Sequence, residues 1–339
     1  MPEHTRHFTC TPQPSWICLQ MAETPPTSSP PSKARTFVRR TASTLFLWAL
    51  VTAVFLSMRP IAYLGLVGAL AIISMVEYFR MLKIAEIKCF PRFGMLLALA
   101  YCGVLYTFIL KGYKTLPADV DGLFIALAIA GAFTLQLRHS IKGPEALLAV
   151  AANLLGFIYV IFLFNFSARV TFIVPGEAAT PVPTGFFAWI FSRWEMAPGA
   201  FMLLWLLAVT KFTDMGAYIT GSMIGRHKMI PHISPGKTWE GFVGALFFAQ
   251  LAGCGLYALF PQHLGVFHSW GHVVALGFLL AVLAVIGDLA ESVVKRALNA
   301  KDSGSMLPGI GGGLDLIDSI CFTAPALYFY LKWVLLPLA

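Results

Sequence analysis

Long uninterrupted runs of apolar residues alternate along this chain with short polar connections. The runs are about 16–25 residues long, which suits membrane-spanning helices, and their apolar positions are consecutive rather than alternating as in a transmembrane barrel. Nine segments are predicted, near residues 43–58, 61–79, 93–110, 121–137, 144–167, 200–224, 240–260, 271–290 and 318–337. The predicted fold class is therefore all-α, a polytopic membrane protein with about nine transmembrane helices.

The composition supports a bilayer as the solvent of this chain. Hydrophobic residues make up 58% of it and charged residues only 12%, whereas soluble domains carry about 25% charged residues. The net charge of +8 does not indicate nucleic-acid binding, because the basic residues lie at the ends of the apolar runs, where membrane topology places them. The six cysteines show no C-x-x-C pair, so neither a disulfide framework nor a cysteine metal site is predicted.

The chain divides into three predicted regions. Residues 1–36 are rich in Pro, Thr and Ser and lack a long apolar run, which predicts a disordered N-terminal tail without a secretory signal. Residues 37–195 hold the N-terminal transmembrane helices. Residues 196–339 form a C-terminal transmembrane region, and the polar residues described below make it the predicted catalytic region.

The distribution of lysine and arginine predicts the orientation in the membrane. With the N-terminus inside, 17 of the 24 basic residues fall in inside connections and six fall outside. This bias favours an inside N-terminus and an outside C-terminus. Together with the short connections, it leads us to expect a bacterial inner membrane protein whose polar C-terminal connections face the cytoplasm.

Acidic residues are few in the C-terminal region and lie on one predicted side. Those after residue 195 are Asp214, Glu240, Asp288, Glu291, Asp302, Asp315 and Asp318. All occur at the ends of segments six to nine or in the inside connections, and the outside connection 261–270 has none. Charged groups near the bilayer are costly and usually mark function, although solvated loop charges are the simpler alternative.

A first polar block lies between the sixth and seventh segments. Lys237 and the hydroxyls of Ser234 and Thr238 can bind phosphate oxygens, and Gly236 lets the backbone approach a ligand closely. The block is not a P-loop, because Pro231 stands where that pattern needs its first glycine. A capped helix start would give a similar pattern and is compatible with phosphate binding.

A second polar block joins the eighth and ninth segments. Asp288, Ser292 and Lys295 share one face of a predicted helix, and Asp315 and Asp318 lie one turn apart at the mouth of the ninth segment. The glycine-rich stretch 309–313 allows a turn that brings the two groups together. Converging carboxylates near basic residues predict a Mg²⁺ site for a polyphosphate. The alternative is a flexible glycine loop flanked by helix-capping acids.

These blocks resemble the phosphatidate cytidylyltransferases, or CDP-diacylglycerol synthases. That family has Ser-x-x-Lys-Arg, four residues, Lys-Asp-Ser-Gly, then Pro-Gly-His-Gly-Gly and Asp-Arg-x-Asp. The matching residues here are Ser292, Lys295, Arg296, Lys301, Asp302, Ser303, Gly304, Pro308, Gly309, Gly311, Gly312, Asp315 and Asp318. The similarity covers about residues 200–325, and two positions depart from it: Ile310 replaces the family histidine and Leu316 the family arginine.

The resemblance implies transfer of CMP from CTP to phosphatidic acid, giving CDP-diacylglycerol and pyrophosphate. It implies that the catalytic residues are Asp288, Lys295, Arg296, Asp302, Asp315 and Asp318, with Asp288, Asp315 and Asp318 as Mg²⁺ ligands. The implied substrate-binding residues are Asp214, Tyr218, Ser234, Lys237, Thr238 and Ser292. The expected partners are CTP, phosphatidic acid and membrane lipids but no nucleic acid; a second, monovalent cation and a homodimer are left open.

Two alternatives to this function are kept. One is a related membrane nucleotidyltransferase or a CTP-dependent kinase that acts on another lipid, such as an isoprenoid alcohol. The other is a secondary transporter, but transporters place charges at the membrane midplane and often contain inverted repeats. In this chain the charges gather at one surface and no convincing repeat is visible.

Overall fold

The computed structural model describes residues 49–54, 57, 59–113, 117–140, 143–173, 198–300, 303–304 and 311–338 of the chain. Within these residues, eight helices are long and apolar enough to cross a membrane. The prediction of an all-α polytopic membrane protein is therefore confirmed, with a helix count close to the nine expected. The predicted tail, 1–36, and most of the first predicted segment, 43–58, lie outside the described residues.

The helices, in chain order, are α1 (Pro60–Ile84), α2 (Pro91–Leu110), α3 (Ala118–Gln136), α4 (Glu145–Leu155), α5 (Phe166–Ile173), α6 (Pro198–Ile224), α7 (Trp239–Leu259), α8 (Trp270–Ala297) and α9 (Gly313–Tyr330). Residues 174–197, between α5 and α6, lie outside the described part of the chain. A π-helical stretch, Gly156–Leu163, joins α4 to α5, so the three form one span, Glu145–Ile173. A second π-helical stretch, Leu331–Leu335, continues α9.

Several helices extend further than hydropathy predicted. α1 continues to Ile84 and α8 to Ala297, past the apolar runs, because Glu, Lys and Arg favour helix and basic residues in a last turn suit the helix dipole. α9 begins at Gly313 rather than near 318. Its first turn is closed by Asp315, whose Oδ2 accepts a hydrogen bond from the N–H of Gly312 at 3.0 Å.

A two-stranded antiparallel hairpin, which hydropathy did not predict, connects α6 to α7. Its strands are β1 (Lys228–Ile230) and β2 (Ser234–Thr238). Glu240, in the first turn of α7, accepts hydrogen bonds from the N–H groups of Arg226 and His227 at 3.1 and 3.2 Å. These bonds fold the chain back after α6 and place β2 directly before α7.

Polar contacts between distant helices agree with the predicted alternation of directions. At one end of the bundle, Arg169 in α5 pairs with Asp121 in α3 at 2.6 Å. At the opposite end, the loop before α2 contacts the start of α4, where Lys88 and Glu145 lie 3.5 Å apart. Glu77, near the C-terminal end of α1, accepts a hydrogen bond from the N–H of Leu314 at the start of α9. Helix ends that the predicted topology places on the same side of the membrane are therefore in contact with one another.

Glycines allow α6 and α7 to pack closely along the C-terminal region. A Cβ added at Gly216 of α6 would lie 2.8 Å from the carbonyl oxygen of Gly244, and one at Gly241 would lie 2.9 Å from that of Ala217. Small residues permit such close backbone approach between membrane helices. This packing fixes α6 beside the hairpin and α7, the arrangement that brings polar residues of α6 towards α8 and α9.

Candidate active site

Three carboxylates from α8 and α9 meet near one end of the bundle. Asp288 and Glu291 project from α8 and Asp318 from α9, and one oxygen of each lies within 4.8 Å of the others. Glu291 and Asp318 are buried, whereas Asp288 is partly exposed. We refer to Asp288, Glu291 and Asp318 as the carboxylate cluster.

The close packing of α8 against α9 makes this meeting possible. Gly287 precedes Asp288, and a Cβ added there would lie 2.9 Å from both the carbonyl oxygen of Asp318 and the Cα of Ser319. A larger residue would therefore push against the α9 backbone. Glycine at 287 lets the two helices touch where their carboxylates project.

Lys295 neutralises part of the cluster and links it to Asp315. Its ammonium group lies 2.5 Å from Oε2 of Glu291, one helical turn earlier, and 3.0 Å from Oδ1 of Asp315. Asp315 was predicted as a metal ligand. The structure gives it Lys295 and the N–H of Gly312 as partners, next to the carboxylate cluster rather than within its trio.

The hairpin brings Lys237 onto the cluster from β2. The Lys237 ammonium lies 2.8 Å from Oδ2 of Asp288 and donates a longer hydrogen bond, 3.4 Å, to the carbonyl of Val285. Both polar blocks identified in the sequence thus meet at one position. Ser234 begins the same strand and is half-buried.

Thr238 has a local structural role. It is the N-cap of α7, its side chain is buried, and its hydroxyl oxygen accepts a hydrogen bond from the N–H of Gly241 at 3.1 Å. The capped helix start that the sequence allowed is therefore present. This bond fixes the junction between β2 and α7. It uses one acceptor lone pair of the hydroxyl and leaves its O–H, so substrate binding by Thr238 stays a prediction.

α6 contributes a lysine and an aspartate on one face. Lys211 and Asp214 form an ion pair of 3.3 Å, and both side chains are about one-third exposed. Asp214 lies close enough to Asp288 and Lys237 for their charges to interact, and Lys211 lies close to Asp318 in the same sense. Tyr218, one turn further on, is 77% exposed.

The remaining predicted residues lie around this centre. Arg296 is exposed near the end of α8 and donates to the carbonyls of Ile233 in the hairpin and Ala300, at 3.4 and 3.3 Å. Ser292 is half-buried on α8. Asp302 and the departing residue Ile310 lie outside the described residues, whereas Leu316 packs partly buried against the core.

Two residues at this end of the bundle were not assigned a role from the sequence. Glu291 directly precedes Ser292, the first residue of the matched motif, and its spacing from Asp288 and Lys295 places all three on one helical face. Glu77 interrupts the apolar run of α1, which is itself a sign of function in a membrane helix. It is fully buried, and a Cβ added at Gly304 or Gly312 would lie 2.6 or 2.8 Å from its carboxylate oxygens.

The charges and donor atoms at this centre fit a divalent cation. In the described part of the chain, five carboxylates outnumber three lysines by two formal charges: Asp214, Asp288, Glu291, Asp315 and Asp318 against Lys211, Lys237 and Lys295. Oε1 of Glu291 is buried and receives no hydrogen bond from the described residues. Carboxylate oxygens that converge without enough donors suit a hard cation such as Mg²⁺.

Comparison with known sequences gives the family. The sequence profile of the Cytidylyltransferase family matches residues 38–334, nearly the whole chain. The chain belongs to the cytidylyltransferase family. The match includes both the N-terminal helices and the carboxylate cluster. The family assignment of this cytidylyltransferase-family protein therefore does not depend on the motif region alone.

Individual relatives of this cytidylyltransferase-family protein match a shorter segment. Uncharacterized protein YnbB of Escherichia coli (strain K12) is 37% identical over 135 residues, 40% of this chain and 44% of YnbB. Two proteins named phosphatidate cytidylyltransferase, from Brucella suis biovar 1 (strain 1330) and Staphylococcus aureus (strain COL), are 42% and 41% identical over 128 residues. Those matches cover 38% of this chain and 46% and 45% of the relatives, so the chain spans less than half of each relative's length.

Proposed function

We propose that the chain is a phosphatidate cytidylyltransferase, which transfers CMP from CTP to phosphatidic acid and releases pyrophosphate. The observation that carries the proposal is the carboxylate cluster flanked by Lys237 and Lys295 at one end of membrane-spanning helices, in a member of the cytidylyltransferase family. The relatives named phosphatidate cytidylyltransferase support the choice of lipid.

The proposed cofactor is Mg²⁺, held by Asp288, Glu291 and Asp318. The fit rests on the converging oxygens and on the buried, unpartnered Oε1 of Glu291. When bound, the ion would supply charge neutralisation and orientation for the triphosphate. Asp315 would keep Lys295 aligned from the neighbouring position.

The protein's own groups would position the two substrates and balance their charge. Lys237 and Lys295 can turn their ammonium groups from the carboxylates to phosphate oxygens, and Arg296 lies at the exposed rim near the hairpin. A phosphate oxygen of phosphatidic acid forms a bond to the α-phosphorus of CTP, while the bond from that phosphorus to the β-phosphate breaks and pyrophosphate leaves. The attacking phosphate is already anionic, so no strong general base is needed, and catalysis comes from positioning and electrostatics.

We place this site at the cytoplasmic face of a bacterial inner membrane. The basic residues predominate on this side of the predicted topology. CTP is soluble, whereas phosphatidic acid keeps its tails in the bilayer, so the two substrates can meet only where a polar site borders the membrane. The homodimer left open above stays a prediction that light scattering of the purified protein can check.

The test uses purified protein in detergent micelles containing phosphatidic acid. CTP labelled on its α-phosphate should deliver label to a lipid product only when Mg²⁺ is present, and CTP labelled on its γ-phosphate should yield labelled pyrophosphate. Asp288→Asn should abolish transfer, whereas Asp119→Asn should not, because Asp119 is exposed at the other end of the bundle. Transfer of γ-label to a lipid alcohol, with none of the α-label, would instead identify a CTP-dependent kinase.

A further inference from the structure

A lysine lies within the long apolar helix α6, close to the carboxylate cluster. Lys211 is the middle residue of α6, which runs from Pro198 to Ile224 and is apolar enough to span a membrane. A charged side chain within such a helix is costly and, by default, indicates a functional role. The reaction proposed above does not yet use this residue.

Lys211 is the least engaged of the three lysines around the cluster. Lys237 and Lys295 form ion pairs of 2.8 and 2.5 Å with cluster carboxylates and are each less than one-fifth exposed. Lys211 contacts Asp214 at 3.3 Å, and its side chain is 37% exposed. An ammonium group offers three hydrogens, so Lys211 can keep its contact with Asp214 and still bind an anion.

The surface around Lys211 is apolar, and the described residues leave it partly exposed. On the same helix Phe212, Met215 and Tyr218 are 38%, 41% and 77% exposed. In a membrane-spanning segment, such a surface contacts hydrocarbon rather than water. Lys211 therefore lies between two different environments. On one side is the apolar surface of α6, which faces acyl chains, and on the other is the carboxylate cluster, because the charges of Lys211 and Asp318 interact.

This combination matches an amphipathic phosphate better than a soluble nucleotide. The phosphate monoester of a lipid needs a cation at the depth of its headgroup and an apolar path for its tails. We propose that Lys211 binds the phosphate of the lipid substrate and that Asp214 holds the Lys211 ammonium in position beside the cluster. The inference rests on the proposed function and names the lipid-phosphate subsite of that site.

The proposal predicts a change in the apparent affinity for lipid alone. Binding that is equal in the ground state and the transition state changes KM and leaves kcat intact. Replacement of Lys211 by Met should raise the KM for phosphatidic acid, measured as its mole fraction in mixed micelles, by about 10- to 100-fold, as expected for loss of a hydrogen bond to a charged group. The KM for CTP and the kcat at saturating lipid should change less than about threefold.

The experiment compares Lys211→Met, Lys211→Gln and Lys211→Arg with Lys228→Met in the full chain. Arg retains the charge and should restore most of the lipid affinity. Lys228 is an exposed lysine of β1 and should leave both KM values unchanged. If Lys211→Met does not accumulate as folded protein, the Gln and Arg variants give the same comparison, because both keep a long polar side chain next to Asp214.

The outcomes separate this inference from the proposed function. A wild-type protein that forms no CDP-diacylglycerol would overturn the proposed function. Normal wild-type turnover with an unchanged lipid KM in Lys211→Met or Lys211→Gln would overturn only the role of Lys211. A raised KM for CTP with an unchanged lipid KM would also overturn it, since the lysine would then serve the nucleotide. A fall in kcat with both KM values unchanged would also overturn it, since the lysine would then make an interaction only in the transition state rather than bind the lipid.

Discussion

Glu291 and Asp315 have the same functional group but different surroundings. The Glu291 side chain is only 2% exposed, and one of its oxygens pairs with Lys295 while the other faces the cluster without a hydrogen bond among the described residues. Asp315 is about one-third exposed and has both of its oxygens engaged, by Lys295 and by the N–H of Gly312. Glu291 is thus the better candidate to share a cation with Asp288 and Asp318.

Replacement of Glu291 by Gln should disable the cation site. The amide keeps the size of the side chain but removes the charge, so CMP transfer should fall by about 100-fold and the Mg²⁺ concentration for half-maximal rate should rise. The measurement is the transfer rate as a function of Mg²⁺ concentration. Asp119→Asn, at the opposite end of the bundle, serves as the matched control. A Gln variant with the wild-type rate and Mg²⁺ dependence would remove Glu291 from the cation site.

The sequence predicted which residues surround the site, and the roles it assigned to them stay predictions. The motif spacing marked the carboxylates that surround the site, because helical periodicity determines which residues share a face. The sequence named Asp315 rather than Glu291 as a metal ligand, and the choice between them depends on which oxygen Lys295 contacts and on where the first turn of α9 begins. Both depend on how α8 packs against α9, and the periodicity of a single sequence does not predict such contacts.

Among the helices, the contact of α8 with α9 is the one that assembles the cluster. An added Cβ at Gly287 would meet backbone atoms of Asp318 and Ser319, which cannot rotate away as a flexible side chain could. Any residue other than glycine must therefore separate the helices or tilt them. The carboxylates would separate with them.

Gly287→Ala should lower both stability and activity. Overpacking of this kind costs about 1–3 kcal/mol, which should lower the melting temperature in detergent and reduce CMP transfer more than tenfold. Gly255→Ala in α7 is the matched control, because a Cβ there meets nothing within 4 Å. The control should be neutral or stabilising by about 0.5–1 kcal/mol, since alanine favours helix over glycine. Equal melting temperatures and rates for the two variants would show that the close approach at Gly287 is unimportant.

α1 supports the start of α9 through Glu77. The buried Glu77 carboxylate accepts the N–H of Leu314 at 3.1 Å and lies against Gly304 and against Gly312, which belongs to the glycine-rich stretch 309–313. Leu314 is flanked by Gly313 and Asp315. The N-terminal helices therefore contribute directly to the position of the residues that surround the cluster.

Glu77→Ala should reduce CMP transfer by about 10- to 100-fold, the usual effect of losing a group that supports metal ligands, because Glu77 holds the start of α9, the helix that carries Asp318. Glu77→Gln keeps an acceptor for the Leu314 N–H and should retain more activity than Ala. Lys83→Ala, an exposed residue of the same helix, should have no effect. The transfer rates of the three variants are compared at saturating Mg²⁺ and again at limiting Mg²⁺, where Glu77→Ala should have the lowest rate. If Gln and Ala behave alike and match Lys83→Ala, α1 has no such role.

For the whole molecule, hydropathy predicted the spanning helices because a bilayer requires every backbone group in it to be satisfied within a helix. The apolar runs are therefore sufficient to predict most of the helices. The β1–β2 hairpin and the contact from Glu77 to Leu314 could not be predicted in the same way, because short strands and long-range side-chain contacts leave no periodic pattern. These two features connect Lys237 and the N-terminal helices to the site.

The orientation of the whole bundle can be tested with two introduced cysteines. His232 lies exposed in the hairpin turn next to the site, and Tyr113 lies exposed after α2, at the end where Arg169 and Asp121 pair. The six native cysteines are first replaced by alanine, and CMP transfer is measured to ensure that this background is active. His232→Cys and Tyr113→Cys are then introduced separately.

An impermeant maleimide should label Tyr113→Cys in intact spheroplasts and His232→Cys in inverted vesicles. The two positions lie at opposite ends of the bundle, and the positive-inside bias puts the hairpin in the cytoplasm. Labelling of both from one side would contradict the alternation of the helices, which the contacts at the two ends of the bundle support. Reversed labelling would keep the fold but place the carboxylate cluster away from cytoplasmic CTP, and a reaction with CTP would then be untenable.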